Sequence, residues 1–73
     1  MANEIQWTEL KSSNLSKIAY DSDADELLVE YKSGAVYSYP SAGEAAYQDL
    51  LYSASPGQYV NRWLKGQPAR RIK

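Results

Sequence analysis

The chain has no cysteine and no histidine in its 73 residues. Without thiols it can form neither a disulfide staple nor a thiolate zinc site, and it has no cysteine nucleophile. Without imidazole it lacks any histidine-based triad and the commonest metal ligand. Phenylalanine is also absent, so seven tyrosines and two tryptophans carry the aromatic content; these rings have a polar tip that needs a partner when buried. No apolar run exceeds three residues, against the roughly 20 that a spanning helix requires. The start, Met1-Ala2-Asn3-Glu4, has neither the basic opening nor the apolar stretch of a secretory signal. These absences lead us to expect a soluble, cytoplasmic protein. A chain of this length makes one small domain, burying roughly 60% of the surface its unfolded form exposes.

Charge is unevenly spread. Residues 1–60 set Lys11, Lys17 and Lys32 against all nine carboxylates, a balance of −6, whereas residues 61–73 hold Arg62, Lys65, Arg70, Arg71 and Lys73 and no acid, a balance of +5. A basic block on an acidic body suits either an anion or the C-terminal dipole of a helix. The acidic body argues against sequence-independent duplex binding, which draws its affinity from many phosphate contacts.

Strand signals come first along the chain. Residues 1–11 read as an arm or a short edge strand, with Trp7 and Leu10 as anchors. In Leu15 to Asp21, Ile18 and Tyr20 alternate with Lys17 and Ala19. Asp21-Ser22-Asp23-Ala24-Asp25 is a turn. In Glu26 to Lys32, Leu27, Val29 and Tyr31 face one way and Leu28, Glu30 and Lys32 the other. Lys32-Ser33-Gly34 turns the chain into a strand from Ala35 to Tyr39, which Pro40 ends.

Helix signals follow. Ser41 with Glu44 fits a capping box, opening a helix to about Ser53 with the stripe Ala46, Tyr47, Leu50 and Leu51. Ser55-Pro56-Gly57-Gln58 repeats the signature with Pro56 at the first helical position. The second helix carries Tyr59, Val60, Trp63 and Leu64, and Gly66 stops it. Trp63 shares that stripe and is therefore expected in the core. The fold expected is α+β: a three-stranded antiparallel meander followed by two short helices on one face.

The hairpin register decides where Tyr37 and Tyr39 point. A two-residue Ser33-Gly34 turn puts both on the outer face beside Glu30 and Leu28, as a stacking platform. A three-residue turn with Gly34 left-handed pairs Tyr37 with Val29 and Tyr39 with Leu27, under the helices. Serine disfavours the positive φ of the shorter turn, so the buried register is the better fit.

Other signals are weaker. Asp21-x-Asp23-x-Asp25 looks like a calcium loop, but Glu26 stands where glycine is needed and Lys32 where the last carboxylate belongs, so a polar turn is expected. Asp25, Glu26 and Glu30 are clustered carboxylates, which a chain this short cannot easily bury and orient for acid–base work. Asn61, Arg62 and Lys65, with Ser12, Ser13 and Asn14, could form a polar, anion-binding patch.

The pattern Ser12-Ser13, Ile18-x-Tyr20-Asp21, Leu27-x-Val29-x-Tyr31, Gly34, Tyr37-x-Tyr39, Tyr47, Leu50-Leu51 and Ser55-x-Gly57-x-Tyr59-x-Asn61 resembles the KTSC domain family. That family is named after the C-terminal domain of some lysyl-tRNA synthetases and also occurs as stand-alone proteins of bacteria and phages. The resemblance covers residues 12–66, with 67–73 as a basic tail. The chain departs from it at Ala42-Gly43, where Val-Pro is usual, and at Gln67-Pro68, where an aromatic is common. The family has no assigned activity, and RNA binding is the role suggested for it, so the resemblance bears on the fold more than on the function.

The residues and the resemblance together point to a non-catalytic module, with no cofactor or metal, that binds a nucleotide-type ligand: single-stranded RNA or a small signalling nucleotide sequestered by a phage-type protein in the host cytoplasm. Tyr37 and Tyr39 would stack on a base, and Ser12, Ser13, Asn61, Arg62, Lys65, Arg70 and Arg71 would meet its polar and phosphate groups. The alternative is a protein-interaction module, such as a phage accessory inhibitor of a host protein, with Tyr and Trp as anchors. Open sheet edges on so small a domain also suggest a homodimer.

Overall fold

The computed structural model describes residues 5–40 and 42–73, the side chain of Lys65 excepted. Strands β1 (Trp7–Glu9), β2 (Leu15–Asp21), β3 (Glu26–Tyr31) and β4 (Val36–Tyr39) precede helices α1 (Gly43–Leu51) and α2 (Pro56–Arg62), a 3-10 turn (Leu64–Gly66) and strand β5 (Arg70–Arg71). The strands form one antiparallel sheet in the order β1-β2-β3-β4-β5. The α+β meander with its helices is as expected. Its three strands are extended on both sides, by the N-terminal arm and by the basic tail. The edges of β2 and β4 are thereby covered, and the open edges move to strands of three and two residues, a length that limits edge-to-edge pairing.

The hairpin between β3 and β4 settles the register. Gly34 has φ +95°, and its N–H donates to the Tyr31 carbonyl while Tyr31 N–H donates to that of Ala35. This is the three-residue turn, and it pairs Val29 with Tyr37 and Leu27 with Tyr39. Ile18, Leu27, Val29 and Tyr39 therefore share one face and pack against Ala46 and Leu50 of α1 and Val60 of α2, with Leu64 completing the core. Leu15 joins this core although it lies three residues from Ile18. The register slips between Leu15 and Lys17, and the bulge resets the alternation so that both side chains reach the same side.

Among the described residues, no helix packs on the other face. One row of the sheet runs Trp7, Ala19, Leu28, Ser38, Arg70. Ala19, Leu28 and Ser38 are buried there, flanked by ion pairs from Lys17 to Glu30 and Arg70 to Glu26.

The helices differ from the sequence reading at their ends. Ser41 lies outside the described residues, as do residues 1–4 of the arm. Ala42 occupies the cap position of α1, and α1 ends at Leu51 rather than Ser53. Ser55 precedes α2 without a side-chain cap; its carbonyl instead accepts from the N–H groups of Gln58 and Tyr59. Because α2 stops at Arg62, the helical spacing that placed Trp63 in the core no longer applies. Trp63 is 41% exposed with its ring against Tyr59, and Leu64, one residue into the 3-10 turn, takes the buried place.

Candidate functional site

A groove of about 590 Å³ lies between the β3–β4 hairpin and α2, within the size range of small-molecule sites. Its hairpin wall carries Tyr31, Lys32, Ala35, Tyr37 and Tyr39; Ser13 and Asn14 form one end; Gly57, Val60, Asn61 and Leu64 line the helix side, and Gln67 and Ala69 border it. The loop before β2 is fixed to the hairpin, because Lys32 N–H donates to the Asn14 carbonyl at 2.9 Å. Ser12 Oγ accepts from the N–H groups of Asn14 and Leu15, both at 3.2 Å, which sets the curve of that loop.

Three tyrosines define the chemistry of the groove. Tyr39 is buried, and its hydroxyl meets that of Tyr31 at 2.5 Å. Tyr37 stands edge-on to Tyr31, with ring centroids 5.7 Å apart and planes at 83°. The T-shaped pair presents one ring face and one edge, with apolar Val60 and Leu64 opposite. Burial, followed by the Tyr39 hydrogen bond, raises the Tyr31 phenol above its usual range, so the Tyr31 hydroxyl keeps its proton at physiological pH and can both donate and accept.

The structure brings together some of the expected residues. Tyr37, Tyr39, Ser13 and Asn61 line the groove. Tyr39 is a floor rather than a stacking surface, since its ring is 4% exposed. Arg71 pairs with Tyr37 in the sheet and so lies on the groove face, where its Nε donates to the Lys73 carbonyl. Ser12 lines an adjoining cleft. Arg70 is on the opposite face with Glu26, which removes it from the tyrosines. Arg62 is exposed at the end of α2, outside the groove lining. The Lys65 side chain lies outside the described residues.

Tyr31 and Gly57 belong to the site although sequence reasoning did not select them. Tyr31 was legible, since it alternates with Val29 on the buried side of the strand; Gly57 carried no chemical signal of its own. The carboxylates do not converge. Asp25 accepts from the Tyr20 hydroxyl, Glu26 accepts from Ser38 Oγ and pairs with Arg70, and Glu30 pairs with Lys17. The Tyr20 phenol is pushed up to about 12, first by its bond to Asp25. Asp21 Oδ1 accepts from the N–H groups of Asp23 and Ala24, closing the turn that resembled a calcium loop. No described helix is long and apolar enough to cross a membrane.

Comparison with known proteins places these features in context. Residues 11–67 match the KTSC domain. An uncharacterized protein of Stutzerimonas stutzeri (strain A1501) is 38% identical over 61 residues, covering 84% of this chain and 86% of that one. A lysine–tRNA ligase of Nostoc punctiforme is 30% identical over 57 residues, 78% of this chain but 10% of the ligase. The crystal structure of a KTSC domain protein from Yersinia pestis superposes with a TM-score of 0.86 at 27% identity, covering 96% of this chain and all of that one.

Proposed function

The chain belongs to the KTSC domain family, and from that membership we propose that it is a non-catalytic module whose tyrosine-lined groove binds a nucleotide-type ligand, either the base of a small nucleotide or of single-stranded RNA. The observation that carries the reading is the edge-to-face pair of Tyr31 and Tyr37 in a groove also lined by apolar Val60 and Leu64 and by Asn14 and Asn61. A planar heterocycle fits against the ring of Tyr37, and the asparagine amides and the phenols can read its polar edges. Base–aromatic stacking contributes about 1–3 kcal/mol. Tyrosines and separately engaged carboxylates supply no activated nucleophile or poised acid–base pair, so retention without turnover is the expected behaviour. The lysine–tRNA ligase relative is a protein whose substrate is RNA, which accords with such a ligand.

The test is a titration of the full chain with nucleosides, nucleotides and short single-stranded RNA at low and moderate salt, followed by amide and side-chain NMR shifts. Saturable shifts centred on Tyr31, Tyr37 and Asn61 are expected. No saturable binding at low salt would remove the reading. A protein-interaction role has one observation in its favour, the exposure of Tyr52 and Trp63 beyond the helices. A stoichiometric, nuclease-resistant protein partner lost on Trp63→Ala would favour it instead.

A further inference from the structure

The groove does not stand alone. A second cleft of about 310 Å³ adjoins it, and Ser13, Asn14, Gly57 and Asn61 line both. The two spaces differ in chemistry. Rings and aliphatic groups dominate the groove. The cleft is lined by the polar residues Ser12, Ser13, Asn14, Ser55, Gln58 and Asn61, together with Lys11. Ser12 Oγ already accepts two backbone N–H groups, so its own proton is free to donate outward.

Gly57 stands where the spaces meet. A Cβ built there would lie 3.4 Å from Ser12 Oγ and 3.6 Å from Asn14 Nδ2. That is ordinary contact, so alanine fits, while a larger side chain would press on Ser12 and Asn14. This position needs no positive φ. What the missing side chain permits is the close approach of the start of α2 to the loop before β2.

Resting on the reading of the groove as a base site, we infer that groove and cleft form one bipartite site for a nucleoside phosphate, with the base against Tyr37 and the phosphate in the adjoining cleft beside Lys11. One ammonium group and several hydroxyl and amide donors suit a single phosphate rather than a long polyanion, which the acidic body would repel. The unit can be a free nucleotide or the phosphorylated end of an RNA strand.

Calorimetric titration of the full chain with matched nucleosides, their 5′-monophosphates, and tetraribonucleotides with and without a 5′-phosphate tests this. The wild-type chain should bind the monophosphate about tenfold or more tightly than the nucleoside, the size of one charge-assisted contact. Lys11→Ala should shrink that preference to within about threefold while leaving nucleoside affinity intact, and Tyr37→Ala should weaken both ligands. Equal affinity for nucleoside and monophosphate, or a preference unchanged in Lys11→Ala, overturns the bipartite site and leaves the groove reading standing. Absence of any nucleoside or nucleotide binding overturns both. A 5′-phosphorylated tetranucleotide that matches the monophosphate assigns the RNA end; a tetranucleotide that binds far more weakly assigns the free nucleotide.

Discussion

Tyr31 and Tyr39, on neighbouring strands but out of register, reach along the sheet to meet hydroxyl to hydroxyl at 2.5 Å. That contact joins the hydrophobic core to the groove, because Tyr39 is core and Tyr31 is wall. Replacing either by phenylalanine should cost about 1 kcal/mol, the net worth of one hydrogen bond. The double replacement should cost clearly less than the sum of the two, because only one bond is lost. Urea denaturation of the three variants checks the relation; additive losses would separate the two hydroxyls energetically.

The same contact has a pH signature. Burial, then the hydrogen bond, raises the Tyr31 phenol, so the folded state binds this proton more tightly than the unfolded state. Stability from it is fully present below the unfolded value of about 10 and declines as pH rises beyond that. Tyr59 adds to the same alkaline loss, raised by burial and by its bond to Asp49. Tyrosinate absorbance should show Tyr31 ionising only with unfolding. Tyr31→Phe should shift the alkaline unfolding midpoint upward relative to its own stability at neutral pH.

Trp63 and Leu64 are sequence neighbours with opposite fates. Leu64→Ala should cost about 2–5 kcal/mol, as expected for a buried leucine, enough to unfold much of so small a domain. Trp63→Ala, at an exposed ring, should stay within about 1 kcal/mol. Thermal melts with the reverse order would place the tryptophan inside.

Ser38 and Arg70 both engage Glu26, yet their losses should differ. Ser38 is fully buried, so Ser38→Ala should cost about 1–2 kcal/mol. The Arg70 side chain is 70% exposed, and Arg70→Ala should stay within about 0.5 kcal/mol after solvent screening. Equal losses in chemical denaturation would contradict the assignment.

Gly34 adopts φ +95° in open space, so Gly34→Ala probes backbone strain alone. A loss of about 1–2 kcal/mol is expected, read as a lower urea midpoint with unchanged slope. No loss would mean that the turn can relax into another form.

Much of this architecture was legible in the sequence because strand alternation and turn chemistry are local. Leu27, Val29 and Tyr31 announce one face of a strand, and Gly34 in third place selects the longer turn and thus the direction of Tyr37 and Tyr39. What escaped notice depends on distant parts of the chain. Strand β5 forms because β4 offers an edge, not because Arg70-Arg71 favours extension. The bulge before Lys17 turns Leu15 inward against the simple period of two. The groove exists only where a hairpin, a loop and a helix start come together, so Gly57 could be placed in it only through that assembly, and Arg70 excluded from it only through its strand pairing.

The last strand has a consequence for motion. Gln67 and Ala69 border the groove, and directly after them the chain is held to β4 by the two register pairs of Arg70 and Arg71 and by bonds from Ile72 and Lys73 to Val36. Such a short ladder should open far more often than the central strands, and each opening swings one bank of the groove outward. An occupant touching that bank is thermodynamically linked to the closed ladder, so filling the groove should slow amide exchange at Ile72, whose N–H donates to the Val36 carbonyl.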